Sequence, residues 1–241
     1  MERQLRYGDV SIRYRVRRQD GRREGRIAIH VEPDGWVLVD APGKATVDAI
    51  SRAVANRARW IHKYVTNARQ RRALLLPREY VSGEAHLYLG RKYQLKVVRE
   101  ADEPPAVRIR RGYIEVSARQ PSRQVVRISL NDWYRRQARA HLPERVKSMT
   151  DSLRWLRDIP PVRFQLMRVQ WGSCSPAGRL TLNPMLVKAP PECIDYVLLH
   201  ELCHLREHNH GKRFYDLLER HMPDWRRRKH RLDALVDQIL T

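Results

Sequence analysis

Residues 190–211 confine the chain to few folds. An apolar stripe with helical spacing, Ile194, Val197, Leu198, Leu202 and Leu205, runs through a segment that also holds His200, Glu201 and His204. Pro190-Pro191 stands where a helix can start, and Glu192 and Asp195 suit its positive end. The pattern predicts a mostly buried helix from about Glu192 to Glu207. Residues i and i+4 share a helix face, so His200 and His204 can aim their imidazoles at one point. Buried imidazoles and a buried carboxylate are costly unless paired or metal-bound. A His-Glu-x-x-His helix answers that cost: two histidines bind one zinc ion, and Glu201 reaches its water. The competing reading is a histidine-rich helix with solvated or hydrogen-bonded imidazoles.

A catalytic zinc takes three protein ligands and keeps one position open. Three residues compete for the third place. His208 continues the i, i+4, i+8 series if the helix stays regular. His210 serves if the chain leaves the helix near Asn209, which tolerates left-handed backbone, with Gly211 beyond. Glu219 serves in a glutamate-type peptidase. Spacing favours His210, six residues after His204 as in metzincins, although Glu207 stands where those proteins have glycine.

The wider segment carries a family resemblance. Gln170-Trp171-Gly172-Ser173-Cys174-Ser175, Gly178 to Asn183, Ala189-Pro190-Pro191, Ile194 to Val197, His200 to His204, Asn209-His210-Gly211 and Phe214 resemble the YgjP-like metallopeptidases, often grouped with SprT-like zinc proteases. The likeness is densest from about Arg168 to Trp225 and weaker through Pro33-Asp34-Gly35, Ala41-Pro42, Trp60-Ile61 and Tyr88-Leu89-Gly90. It implies His200, His204 and His210 as zinc ligands and Glu201 as general base.

The remaining constraints are compositional. The 241 residues suffice for one large domain or two small ones. No apolar run approaches the roughly 20 residues of a membrane helix, and the N-terminus has no signal-like segment. A cytoplasmic protein without a membrane partner is the expectation. Three cysteines, an odd number, exclude a fully paired disulfide framework; reduced, packed thiols are expected at Cys174, Cys193 and Cys203. The net charge of +21 attracts polyanions, with Arg52, Arg57, Arg59 and Lys63 as one candidate face and Arg226 to Lys229 as another. Solvated faces decorated with arginine explain such charge equally well. SprT-like proteases act on DNA-bound proteins, so the resemblance also implies a nucleic-acid partner.

Along the chain, residues 5–17 alternate as a half-buried strand or hairpin, Arg26–Val31 and Trp36–Val39 are strands, and Gln19–Gly25 and Pro33-Asp34-Gly35 are turns. Thr46 to about Arg72 switches to helical period and should bury Val47, Ile50, Val54 and Ile61; Trp60 and Tyr64 are either core or a nucleic-acid contact, core being the commoner role. Leu74–Pro77 breaks the pattern. Two hairpins follow, turning at Gly90-Arg91 and Arg111-Gly112, with a loop at Asp102–Pro105 between them. Pro121 to Leu153 is helical, interrupted by Pro143. Strands at Phe164–Val169 and Arg179–Leu182, the histidine helix and closing helices at Lys212–His221 and Trp225–Leu240 complete it. No solenoid-type repeat is visible. The fold class is α+β: a β-rich N-terminal region with one basic helix over 1–120, then a minimal zincin-like domain over 121–241.

The implied chemistry is peptide-bond hydrolysis by zinc hydroxide formed with the help of Glu201, on a protein or peptide substrate. Tyr215, His208 and His221 are candidate oxyanion donors, and Gly172 and Gly178 would admit a substrate backbone. Two other classes fit parts of the pattern. A metal-dependent nucleotide phosphoanhydride hydrolase would use the arginines on phosphates. A nucleic-acid-associated protein would hold a closed, structural metal site.

Overall fold

The computed structural model describes the chain except residues 1, 9, 20–26, 32–34, 74–76, 101–103, 168–169 and 241, with side chains also left aside at 19, 67–73, 237 and 240. Of the turn expected at Gln19–Gly25 all but Gln19, the last residue of a strand, lies outside the described residues, as do the turn at Pro33-Asp34, the break at 74–76 and the start of the loop at 102–103. The chain is a mixed α+β protein of two compact units, Met1–Leu76 and Pro77–Thr241. Among the described residues, no helix is long and apolar enough to cross a membrane.

In the first unit, strands β1 (Glu2–Tyr7), β2 (Val10–Gln19), β3 (Ala28–Val31) and β4 (Val37–Pro42) form a sheet in the order β1-β2-β4-β3. The inner pair β2 and β4 is parallel, and the outer strands are antiparallel to it. Thr46 then caps helix α1 (Val47–Asn56), its hydroxyl accepting the Ala49 N–H at 3.2 Å. Helix α2 (Ala58–Ala73) follows after a break at Arg57 (φ −111°, ψ 9°). The single helix expected over 46–72 is therefore two. Ile12, Tyr14, Val37 and Val39 pack with Ile50, Val54, Ile61 and Val65. Val47, expected in this core, is 37 % exposed because it opens the first turn of α1. Trp60 and Tyr64 are not core either; they are 40 % and 48 % exposed.

The second unit opens with β5 (Ala85–Tyr88), β6 (Arg91–Arg99), β7 (Ala106–Arg110) and β8 (Tyr113–Ala118), in the order β5-β6-β8-β7. Again the inner pair is parallel and the outer strands antiparallel. A helix again follows, α3 (Arg123–Ser152), capped by the Ser122 hydroxyl on the Val125 N–H at 3.3 Å. The two sheets thus repeat one arrangement, four strands and then a helix. The division at Leu76 differs from the boundary expected near residue 120. The physical reason is that Leu87, Tyr88, Leu95, Ile114 and Val116 share a core with Leu130, Trp133, Tyr134 and Leu142 of α3.

Pro143 does not interrupt α3, which runs 30 residues with the proline inside. A mid-helix proline costs about 3 kcal/mol and frees the carbonyl four residues earlier. That carbonyl belongs to Arg139, an exposed residue, where water can bind it. Eight buried positions on the helix, at about 1.5–3 kcal/mol for each large apolar side chain, outweigh the loss.

Three short strands follow, β9 (Val162–Phe164), β10 (Gly172–Cys174) and β11 (Leu180–Leu182), in the order β10-β11-β9. Of the 164–169 segment expected as a strand, only Phe164 lies in β9, and the Gln165 N–H extends the pairing by donating to the Leu182 carbonyl at 3.1 Å. A 3-10 turn (Pro184–Lys188) then leads into α4 (Pro191–Cys203), α5 (Lys212–His221) and α6 (Trp225–Leu240). The β5–β6 hairpin docks on this turn: the N–H groups of Leu89 and Gly90 donate to the carbonyls of Val187 and Lys188 at 2.9 and 3.1 Å. Both residues have positive φ, 47° and 76°, so the turn is Leu89-Gly90, one residue earlier than expected. A Cβ on Gly90 would stand 2.7 Å from Cα of Pro190, the residue that starts α4.

Candidate metal centre

Helix α4 is buried almost all round: Cys193, Ile194, Tyr196, Val197, Leu198, Leu199, Glu201, Leu202 and Cys203 all lie in the interior. Such a helix belongs in the middle of a core rather than on a surface. Its position is fixed from α3 by Arg145, whose guanidinium binds Asp195 through Nε at 3.0 Å and Nη2 at 2.8 and 2.9 Å. Asp195 thus does more than favour the helix N-terminus. The helix ends at Cys203, four residues before the expected Glu207. His204 caps it with helical backbone angles, so the i, i+4 geometry with His200 survives. Beyond it the N–H groups of His204, Leu205 and Arg206 bond carbonyls three residues back, a tightening last turn.

This early end is what brings the third histidine home. Asn209 does not take the left-handed conformation expected of it, and Gly211 has a negative φ as the N-cap of α5. The short segment 205–211 folds back over the helix end instead. The ligand atoms of His200, His204 and His210 lie within 4.8 Å of one another, and Nε2 of His200 and Nε2 of His210 are 2.9 Å apart. His208 is exposed and is not in the cluster. Glu219 is also elsewhere, accepting from Trp225 Nε1 at 2.7 Å and Arg226 at 2.5 Å.

Phe214 lies under all three rings, with centroid distances of 4.9, 4.7 and 4.7 Å to His200, His204 and His210. It is fully buried. Its place, four residues after His210 on the next helix, is a signal spacing alone could have supplied. His204 Nδ1 lies 3.2 Å from the Glu207 carbonyl; donating there leaves its Nε2 lone pair bare. Burial, then the neighbouring histidines, holds the His200 pKa well below its usual value. Burial also lowers that of His204, against the pull of the Glu207 and His208 carbonyls. Both rings are therefore neutral at pH 7, the form a metal requires. His200 Nδ1 is buried without a hydrogen-bond partner.

Glu201, beside the cluster, is buried, and burial pushes its carboxyl up to about 8. Room for it comes from β10. A Cβ on Gly172 would meet Cγ of Glu201 at 2.7 Å and Oε1 at 2.9 Å. Gly172 therefore makes room for the Glu201 side chain. Gly178 has φ +76° and closes the β10–β11 turn. Asn183, wholly buried, ties the strand before the cluster: its Nδ2 donates to the carbonyls of Met167 and Gln170 at 2.7 and 3.1 Å. The cysteines are free thiols, and burial pushes Cys203 up to about 12, too high for a ready thiolate ligand.

The donors fit a divalent ion. A tetrahedral ion with bonds of about 2.0–2.1 Å to nitrogen separates its ligand atoms by about 3.4 Å. The 2.9 Å His200–His210 pair and the 4.8 Å limit of the cluster bracket that separation. Of the candidate oxyanion donors, Tyr215 has its ring 6.3 Å from that of His210, while His221 accepts from Trp155 Nε1 at 3.1 Å.

No curated protein sequence matches the chain. Among solved structures it is similar to the metallopeptidase zymogen of Pyrococcus abyssi abylysin, 23 % identical over 38 % of this chain and 90 % of that one, with a TM-score of 0.35. The YgjP-like metallopeptidase domain matches residues 25–235. That match spans both units and the whole histidine cluster, and the chain belongs to the YgjP-like metallopeptidases, hydrolases that work with a divalent metal ion.

Proposed function

We propose that the chain is a zinc peptidase in which His200, His204 and His210 hold the metal and Glu201 is the general base. The observation that carries this reading is the convergence of the three imidazoles beside a buried carboxylate. Three nitrogen donors suit zinc and leave a coordination position open, the mark of a catalytic site. A zinc ion bound there supplies Lewis acidity, polarising the scissile carbonyl and making the attacking water acidic.

The chain's own groups carry the rest. Glu201 takes a proton from the attacking water as its oxygen bonds to the carbonyl carbon, and gives that proton to the leaving amine as the C–N bond breaks. Burial raises the proton affinity of this carboxyl, so that in its ionised form it is a stronger acceptor than an exposed carboxylate. Among the described residues, strand β10 has a sheet neighbour on one side only, β11, so its other edge offers backbone groups to an extended peptide. The Tyr215 hydroxyl, on the exposed side by His210, supplies a donor to the carbonyl oxygen as charge develops.

Metal analysis beside turnover of an unfolded protein tests the assignment. Glu201→Gln should retain the metal and lose turnover by at least about a thousandfold. His200→Ala, His204→Ala and His210→Ala should each lose metal, whereas His208→Ala should keep it. Wild-type turnover by Glu201→Gln, or pyrophosphate release from nucleotides in place of proteolysis, overturns the reading.

A further inference from the structure

The first unit carries a surface that the peptidase chemistry does not use. Helices α1 and α2 turn Ile50, Val54, Ala58, Ile61 and Val65 into the core at helical spacing. Trp60 and Tyr64, also four apart, fall beside that stripe and stay in water, 40 % and 48 % exposed. They pack on each other with ring centroids 4.8 Å apart, tilted by 38°. On α1, Ala49 and Ala53 leave a groove of about 500 Å³ against Ile29 and Pro42, lined also by Arg52 and Arg57. Arg52, Arg57, Arg59 and Lys63 are all exposed, and Asp48 is the one acidic residue between Val47 and Thr66.

We propose that the exposed side of helices α1 and α2 binds single-stranded nucleic acid, with unpaired bases on the Trp60 and Tyr64 rings and phosphates on Arg52, Arg57, Arg59 and Lys63. Cations alone attract any polyanion and draw no distinction among them. Exposed aromatic faces interleaved with cations do distinguish, because every unpaired base presents a π-face to stack on while a duplex keeps its bases stacked internally. An acidic peptide would satisfy the cations and leave the two rings without a planar partner. The surface therefore matches a polymer that alternates flat rings with negative charge. The inference rests on the first unit alone and stands apart from the peptidase assignment.

The test is fluorescence anisotropy of the full-length protein with labelled oligothymidylate, oligouridylate and a hairpin duplex, across a salt series. The two single strands separate a DNA site from an RNA site. The expected result is single-strand binding at least tenfold tighter than duplex at moderate salt. Trp60→Ala with Tyr64→Ala should weaken the single strand at least tenfold, with circular dichroism unchanged and the salt slope kept. Trp60→Phe with Tyr64→Phe should restore binding. Replacing Arg52, Arg57, Arg59 and Lys63 by Gln should flatten the salt slope. Undiminished binding by the double-alanine protein overturns the proposal. So does equal affinity for the duplex, or displacement of the strand by polyglutamate at equal charge concentration.

Discussion

The two four-stranded sheets have the same strand order and the same parallel centre, and in each the next helix is capped four residues after the last strand. They differ in what the helix must cover. In the first unit, α1 and α2 bury one stripe, and their outer side carries cations and two rings. In the second, α3 buries Val126, Leu130, Trp133, Tyr134, Ala138, Leu142, Val146 and Thr150, because the sheet lies on one side and the 3-10 turn and α4 on the other. The turns differ likewise. A Cβ on Gly8, between β1 and β2, would meet nothing within 4 Å, whereas one on Gly90, between β5 and β6, would strike Pro190. The same frame carries a pair of helices with an exposed outer side once and is a foundation for the metal helix the second time. Its topology does not decide which; the elements that follow it do.

That contrast can be broken most directly at the two turns. Gly90→Ala should cost about 3 kcal/mol, since left-handed strain of about 1–2 adds to overpacking at the head of α4. Gly8→Ala should cost about 1 kcal/mol, the backbone strain alone. Denaturant unfolding checks both, and equal costs would dissolve the distinction.

The next effect lies in the first unit. Asp40 is buried beside Arg17 (2.7 and 3.0 Å) and His30 (3.5 Å). Burial raises its pKa, but the bonds to His30 and Arg17 outweigh that and hold the carboxyl well below the usual range. A depressed carboxylate stabilises above its unfolded pKa and loses that contribution as pH falls below about 4. Arg17→Ala should cost about 2 kcal/mol at pH 7 and only modestly less at pH 3, where the folded carboxyl is still ionised, by urea denaturation at the two pH values.

In the second unit the pH dependence has the opposite location. Lys188 is buried, with Nζ donating to the Ile239 carbonyl at 2.9 Å, and burial, then Arg78, lowers its pKa to about 7. Between pH 7 and 9 the unfolded lysine keeps a proton that the folded one sheds, so stability rises with pH. Lys188→Met should remove about 1–2 kcal/mol of that rise, measured as the difference in melting free energy between pH 7 and 9. The smallest effect is at the exposed rings: Trp60→Ala with Tyr64→Ala should change stability by less than about 0.5 kcal/mol, which calorimetry resolves.

What was legible in the sequence was local. Two histidines four apart, a carboxylate between them and an apolar stripe depend only on helix period, and the structure keeps them on one helix face. The Arg111-Gly112 turn is similarly local, and both its residues have positive φ. Properties that depend on distant chain were not legible. The parallel pairing of β6 with β8, the core shared between that sheet and α3, and the exposure of Trp60 all follow from which faces meet. Gly172 could not be assigned its role because the atom it makes way for lies on a helix 29 residues later. Pro143 misled for the same reason: whether proline breaks a helix depends on the solvent at the orphaned carbonyl and on the burial elsewhere along it.

One clasp has a consequence for how the protein is made. Arg78 donates to the carbonyl of Gln238 at 2.7 Å, and Lys188 to that of Ile239 at 2.9 Å, so the start of the second unit closes on the last turn of α6. During vectorial synthesis those carbonyls leave the ribosome after everything else in the unit. The first unit draws its core from residues 12–65 and can condense while the rest is still being translated. The second waits for its final helix, because contacts spanning 160 residues repay loop closure only when both ends exist.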